Sequence, residues 1–113
     1  YTRTWASAGQ IPHVLMARFD VYKRAGEPLL LDCQTDWLDY VETRLVVPLV
    51  PPDAIRRRID RLNPIFQIAD EEMIMMTPLM TAVSVSELGR RVANLSEQQD
   101  AIMNAIDMLL SGF

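Results

Sequence analysis

The sequence predicts a small α+β domain, mainly antiparallel β and barrel-like, with one helix at its C-terminal end. Three observations favour this class. The chain has 113 residues, of which 50% are hydrophobic and 23% charged, enough for one core and little more. Short alternating or β-branched segments follow one another between Gly and Pro turns. Only the last segment shows a long helical period, and the chain has no internal repeat.

The first half of the chain predicts three strands. Phe19–Lys23 alternates apolar and polar residues, which is typical of a half-buried strand. Ala25–Pro28 carries the Gly and Pro of a turn, and Leu29–Cys33 is the expected returning strand. Arg44–Val50 is a β-branched run that predicts a central strand. Its Pro48 requires a strand edge or a bulge, because proline has no N–H for the ladder.

The second half predicts a short helical turn and then more strands. Apolar residues at 54, 55, 59 and 62 favour a helical turn over Asp53–Leu62, capped by Asp53. Pro64–Ala69 and Met73–Thr77 flank the acidic residues 70–72, so we expect a hairpin with its turn there. Thr81–Val85 alternates again.

The C-terminal segment predicts a helix with two distinct faces. Ser96 and Gln99 have the spacing of a capping box. One face is the expected core stripe of Ile102, Ile106, Leu109 and Phe113. A neighbouring face carries Met103, Asp107, Leu110 and Ser111, and Gly112 ends the helix.

That second apolar face indicates a contact surface, because the helix of a small monomer seldom needs one. The chain ends on Leu109–Phe113 without a charge. Either Phe113 folds back into the core, or the tip contacts a second subunit or a target.

Composition excludes several function classes. The formal net charge of −4 disfavours a general nucleic-acid binder. A single cysteine, Cys33, excludes an internal disulfide and fits a reducing, cytoplasmic compartment, where it is expected to be a small buried residue. A single histidine, His13, excludes any two-histidine metal site. We find no glycine-rich phosphate loop, metal-ligand spacing or nucleophile elbow, and no stretch long enough to span a membrane. We therefore expect no catalytic residue, metal or cofactor.

Residues 1–15 form a separate region in this interpretation. Tyr1–Leu15 has no helical or alternating period, and Met16 would make a natural start. We expect a poorly ordered leader or added segment rather than an arm of the fold, so that its deletion leaves stability nearly unchanged. Residues 16–113 then form the folded domain.

Three side-chain groups invite a functional interpretation. Asp32, Asp36 and Asp39 could act as an acid–base group, but turn-forming aspartates explain the last two better. The methionines of Met73–Met80 more often line a core than a binding surface. The single basic cluster is either a solvated surface or a contact for an acidic partner. It consists of Arg56, Arg57, Arg58 and Arg61.

Several strings resemble the CcdB family of toxins. They are Leu31–Asp39, Arg44–Leu49, Met76–Val83, Leu95–Ser96 and Asn104–Phe113. The strings keep the family's order and near spacing from Met16 to Phe113, almost the whole chain. Neither the D-x-Q-x-D string nor the R-x-V-V-P-L string would be specific alone.

The resemblance implies a small SH3-like barrel of the CcdB/MazF type that works as a cytoplasmic homodimer. Such proteins are toxins of type II toxin–antitoxin modules, which serve plasmid maintenance. They poison DNA gyrase by binding its A subunit and trapping the cleaved-DNA complex. A CcdA-like antitoxin wraps the toxin, and the pair represses its own operon. The toxin therefore contacts DNA only indirectly, through the complex with its antitoxin.

The resemblance carries the gyrase-contacting positions to one loop and to the helix tip. They are Trp37, Leu38, Asp107, Leu110, Ser111, Gly112 and Phe113. Two positions depart from the family pattern: Ser111 stands where the best-known member has tryptophan, and position 107 is acidic rather than an amide. A stacked indole there would be worth on the order of 1.5–3 kcal/mol of binding, and Trp37 is a candidate to compensate.

Two alternatives come from other classes. Barrel relatives of the MazF type are metal-independent endoribonucleases, for which Arg44 and the cluster Arg56–Arg61 would be the candidates. The other alternative is a non-toxic descendant that retains only antitoxin binding. Ser111 suggests it, because this residue stands in place of the family's tryptophan.

Overall fold

The computed structural model describes residues 17–38 and 40–112, so expectations for residues 1–15, Asp39 and Phe113 lie outside the described residues. Seven antiparallel strands form one curled, half-barrel sheet, which confirms the predicted fold class. The strands are β1 (Asp20–Lys23), β2 (Leu29–Asp32), β3 (Thr43–Val50), β4 (Ile65–Ile68), β5 (Glu71–Met75), β6 (Thr81–Ser84) and β7 (Arg90–Asn94). The helix α1 (Gln99–Ser111) follows β7.

The sheet runs in the order β4-β5-β3-β2-β1-β7, and β6 pairs with β3 beside β5. β3 is the centre of the sheet: β2 lies along one side, and β6 and then β5 lie along the other. No helix among the described residues is long and apolar enough to cross a membrane.

Pro48 occupies a place in β3 that tolerates it. β6 pairs with Thr43–Val46, and β5 pairs with Leu49 and Val50. The Pro48 carbonyl accepts from Met76 N on that side at 2.9 Å, and the N of a strand residue faces the same side as its own carbonyl. The missing N–H therefore lies where β3 changes its partner from β6 to β5. This meets the expectation that Pro48 needs an edge or a bulge.

The main core fills the concave side of the sheet. Val21, Leu31, Val47 and Leu49 from the central strands are 0% exposed. They pack with Phe66 and Met75, and with Ile102 and Ala105 of α1. Cys33 belongs to this cluster, and its burial raises the pKa of the thiol to about 12, so the expected small buried cysteine is confirmed. A second cluster of Tyr22, Val46 and Leu88 lies on the other face.

The expected helical turn over Asp53–Leu62 is wrong. Only Pro52–Ala54 makes a 3₁₀ turn, and Asp53 lies inside it rather than capping it. Instead, the buried Asn63 side chain organises the loop by accepting from Ile59 N and donating to Met75 O, both at 3.1 Å. The helical period of this segment had no core to face, since Ile59 is 51% exposed.

The hairpin is confirmed, but its turn lies earlier than expected. Ala69 and Asp70, with φ of 51° and 68°, form a two-residue turn between the paired Ile68 and Glu71. These angles match the turn type whose twist suits a tight hairpin. Residues 71 and 72, expected in the turn, therefore begin β5.

The two ends of α1 differ in how well the sequence predicts them. The capping box is wrong: Ser96 begins a 3₁₀ turn, and its N–H donates to Asn94 Oδ1 at 2.9 Å. Gly112 ends the helix as expected, at φ 79° with its N–H bonded to Met108 O. Leu109 is 37% exposed, so its place in the core stripe is also wrong, and Ala105 takes that role.

Candidate functional site

Arg18 joins the predicted target-contacting loop to the helix. Its backbone N–H donates to Asp36 Oδ1 at 2.9 Å, at the start of the 3₁₀ turn Asp36–Leu38. Its guanidinium donates to Cys33 O at 3.2 Å and lies 3.3 Å from Met103 Sδ on α1. The side chain thus places the loop beside the helix face that carries Met103.

Backbone strain supports this position of Arg18. Phe19 has φ 72°, a left-handed conformation that a bulky residue seldom adopts. Burial of its ring and hydrogen bonds to Asp32 O and from Leu95 N hold it there. The Arg18 guanidinium lies 4.8 Å from the Phe19 ring centroid, a cation–π distance. A strained turn therefore directs Arg18 towards the loop and the helix.

The loop presents aromatic side chains to solvent. Trp37 is 71% exposed and Leu38 41% exposed. Tyr40, which the sequence reasoning missed, is 70% exposed and lies in the same loop. Tyrosine and tryptophan dominate the energetics of protein interfaces, and this would have been the signal to find it.

The helix tip is exposed as well, but the Ser111 hydroxyl is already occupied by a hydrogen bond within the helix. Leu110 is 76% exposed. The Ser111 hydroxyl donates to Asp107 O at 2.8 Å, so it bonds back onto its own helix. Met103 starts the face on which Asp107 and Leu110 follow, because residues four and seven apart share a helix side.

A buried ion pair lies on the face of the sheet opposite to the main core. Arg44 and Asp32 are both 0% exposed, and their side chains meet at 2.8 Å. Burial raises the pKa of Asp32 to about 6, opposed by the Arg44 guanidinium and by the Gln34 N–H. Arg44 Nη2 also donates to Gln34 O at 3.2 Å. Since no part of Arg44 reaches solvent, its proposed contact with RNA is wrong.

A second buried carboxylate lies nearby. Asp20 is 0% exposed and accepts from Tyr22 Oη at 3.3 Å, from Asn94 Nδ2 at 2.8 Å and from Ala17 N at 2.7 Å. Burial, with the charges of Asp20 and Asp32, raises the pKa of Tyr22. This cluster ties β1, β2, β3 and β7 together, and its ionisable side chains Asp20, Tyr22, Asp32 and Arg44 are buried.

The arginine cluster lies on the exposed loop after β3. Arg56, Arg57 and Arg61 are exposed, and Arg58 bonds to Asp60 at 2.9 Å and to Asn63 O at 3.0 Å. Within the described part of the chain, no three His, Cys, Asp or Glu side chains could hold a metal ion.

Solved structures of other proteins share this fold. One is an endoribonuclease in complex with its cognate antitoxin from a Mycobacterial species, 17% identical, with a TM-score of 0.69 over 83% of this chain and 93% of that chain. Another is an endoribonuclease from a Mycobacterial species, 15% identical, with a TM-score of 0.66 over 83% of this chain and 89% of that chain. At these identities the likeness establishes the barrel fold.

The family is more specific than the fold. The model of the family described as CcdB protein matches residues 18–112, nearly the whole chain. The chain therefore belongs to the CcdB family, a family of toxins from toxin–antitoxin modules, as the sequence resemblance indicated.

Proposed function

We propose that this protein is a toxin that poisons DNA gyrase by binding its A subunit. One observation supports the proposal most strongly: the Arg18 contacts hold the Asp36–Leu38 turn beside the Met103 face of α1. Trp37 and Leu110, one from each of the two segments that the family resemblance assigns to gyrase, are both exposed.

The proposed mechanism is differential binding without catalysis. A ligand shifts a conformational equilibrium only by its preference for one state over the other. The toxin would prefer gyrase with cleaved DNA and so hold the enzyme there. The proposed contact residues are Trp37, Leu38, Asp107, Leu110, Ser111, Gly112 and Phe113, to which we add Tyr40.

Trp37 and Tyr40 are proposed to replace the aromatic contact that Ser111 lacks. Trp37 is 71% exposed and Tyr40 is 70% exposed. Burial of one such ring in an interface contributes on the order of 1.5–3 kcal/mol, comparable to the missing indole.

The proposed functional unit is a homodimer that a CcdA-like antitoxin neutralises. We expect the dimer to bury above about 1,000 Å², and sedimentation at micromolar concentration tests this. The exposed arginines Arg56, Arg57, Arg58 and Arg61 are proposed to contact an acidic partner segment. Repression of the operon would need both proteins, with DNA bound through the antitoxin.

An endoribonuclease function is the second candidate, since both solved structures above are described as endoribonucleases. Burial of Arg44 in its pair with Asp32 removes one of the two candidates for that chemistry. Only the exposed loop arginines remain, and they lie on an acidic chain.

Titration of the gyrase A subunit tests the proposed site. Leu110→Asp, Trp37→Ala and Tyr40→Ala should each weaken binding by about tenfold or more. Ile59→Asp is the matched control, since Ile59 is an equally apolar side chain, 51% exposed, on the arginine loop. All four variants should keep their free energy of unfolding within about 0.5 kcal/mol, as surface changes do. Unchanged binding by the first three variants would refute the site.

A further inference from the structure

An open groove lies at the end of the sheet where the β1–β2 and β4–β5 turns meet the start of β7. It encloses about 420 Å³. Its apolar lining includes Leu29, Ile68, Met73 and Val92, and the charged side chains along it are Lys23, Arg90 and Glu71. Leu29 and Met73 are partly buried residues packed against the main core, so the groove continues the concave face of the sheet.

A β-bulge shapes one wall of this groove. β7 pairs Ala93 with Val21 and Arg91 with Tyr22, which leaves Val92 without a partner on β1. Because a bulge places an extra residue against one partner, the strict alternation of β7 is broken between Arg91 and Ala93. Val92 lines the groove and is 40% exposed.

Ordinary strand alternation places two neighbouring arginines on opposite faces of β7. Arg90 pairs with Lys23 and lines the groove, whereas Arg91 lies 3.8 Å from Asp20 on the opposite face. Gly89 fixes this approach: a Cβ there would lie 2.3 Å from Lys23 O. Lys23 and Arg90 pair across β1 and β7 and both line the groove beside its apolar floor, and Lys23 Nζ donates to Glu27 O at 2.9 Å.

The groove also lies between two open strand edges. Among the described strands, β4 pairs only with β5, and β7 pairs only with β1. An open edge offers backbone donors and acceptors to an extended peptide, and pockets beside it select side chains.

We propose that this groove binds an extended segment of the antitoxin in which an apolar side chain is flanked by carboxylates. The apolar side chain would lie on Leu29, Met73 and Val92, and the carboxylates would pair with Lys23 and Arg90. The three charged residues that line the groove, Lys23, Arg90 and Glu71, carry a net charge of +1. This charge favours an acidic segment and disfavours a basic one. The assignment of the partner as an antitoxin rests on the proposed toxin function.

Two synthetic peptides of about seven residues test the groove, because that length spans a strand edge. In one, leucine and glutamate alternate, and in the other lysine replaces glutamate. We expect the acidic peptide to shift the amide NMR signals of Lys23, Leu29, Arg90 and Val92 in the full chain. The basic peptide should not shift them.

Variants then locate the contact. Arg90→Glu and Val92→Asp should weaken acidic-peptide binding by about tenfold or more while the NMR spectrum stays dispersed. Arg91→Gln is the matched control on the same strand, and it should leave binding within about twofold, since the Arg91 side chain lies beside Asp20 on the opposite face of the sheet. Shifts confined to the arginine loop, equal binding of both peptides, or closure of the groove by a second copy of this chain would overturn the proposal.

The outcome of this experiment is independent of the outcome of the gyrase tests. If the peptide binds but the protein leaves gyrase unaffected, the toxin mechanism is wrong and the groove stands. If gyrase is poisoned but neither peptide binds, the groove assignment alone is wrong.

Discussion

Replacement of Arg44 by methionine should strongly destabilise the fold at neutral pH. The substitution leaves Asp32 buried, at 0% exposure, without its cation. Breaking a buried pair by removing one partner costs about 3–5 kcal/mol. Protonation of Asp32 gives a lower bound. If Asp32 of the variant takes up a proton on folding at pH 7, about three pH units above its usual value of 3.8, that proton costs about 4 kcal/mol, of which the native protein, with its raised pKa of about 6, already bears about 3 kcal/mol, so this route leaves a penalty of at least about 1 kcal/mol.

The pH dependence gives this prediction its sharpest test. In the native protein burial already raises the pKa of Asp32 to about 6, so its contribution is most favourable below about pH 4 and is lost as the pH rises through 6. Removal of Arg44 raises that pKa further, because Arg44 is the group that lowers it. The penalty of Arg44→Met should therefore be smaller at pH 4.5, where Asp32 is protonated in both folded proteins and its pKa no longer separates them.

Urea unfolding of three proteins measures these values: the native chain, Arg44→Met, and the double variant Arg44→Met/Asp32→Leu. The double variant should recover most of the loss at pH 7, because apolar replacements of both partners are often neutral or stabilising. A loss below about 1 kcal/mol for Arg44→Met at pH 7, or an equal loss at both pH values, would refute the structural role of this pair.

Three further predictions concern the backbone and the buried thiol. The double change Ala69→Asn/Asp70→Gly should stabilise the hairpin by about 1 kcal/mol, since both positions have positive φ, and an unchanged thermal midpoint would contradict this. Gly89→Ala should cost well over 2 kcal/mol by denaturant unfolding, because its Cβ would meet Lys23 O at 2.3 Å. Gly26→Ala, at nearly the same φ but with nothing within 4 Å, should cost only about 1 kcal/mol, and equal losses would show that sterics at Gly89 do not matter. Cys33 should react with an aromatic disulfide reagent only as fast as the chain unfolds, since burial raises its pKa to about 12, and rapid labelling of the native protein would oppose this.

Local pattern and turn chemistry were enough to predict most of the strands. Alternation located β1 and β6, and the β-branched run located β3, because these segments pack against a core in the way the pattern assumes. The same reasoning failed over Asp53–Leu62, where a helical period faces solvent and the Asn63 side chain decides the conformation.

The candidate site was predictable in part. Leu110, on the helix face that the residue pattern marked as partner-contacting, and Trp37, in the loop that the family resemblance marked, are both exposed. The Arg18 contacts join positions 18, 36 and 103, so only the folded chain reveals them. The Asp32–Arg44 pair was also missed, because a strand pattern does not show which polar residue turns inward. The groove beside Val92 depends on a bulge, which the sequence does not mark.

A cleavage assay with purified gyrase tests the central claim most directly. The native protein should produce double-strand breaks in supercoiled DNA that require gyrase, and Leu110→Asp should remove that activity while Ile59→Asp keeps it. The same preparations should leave single-stranded RNA intact. RNA cleavage without gyrase, together with no gyrase-dependent DNA breaks, would contradict the account.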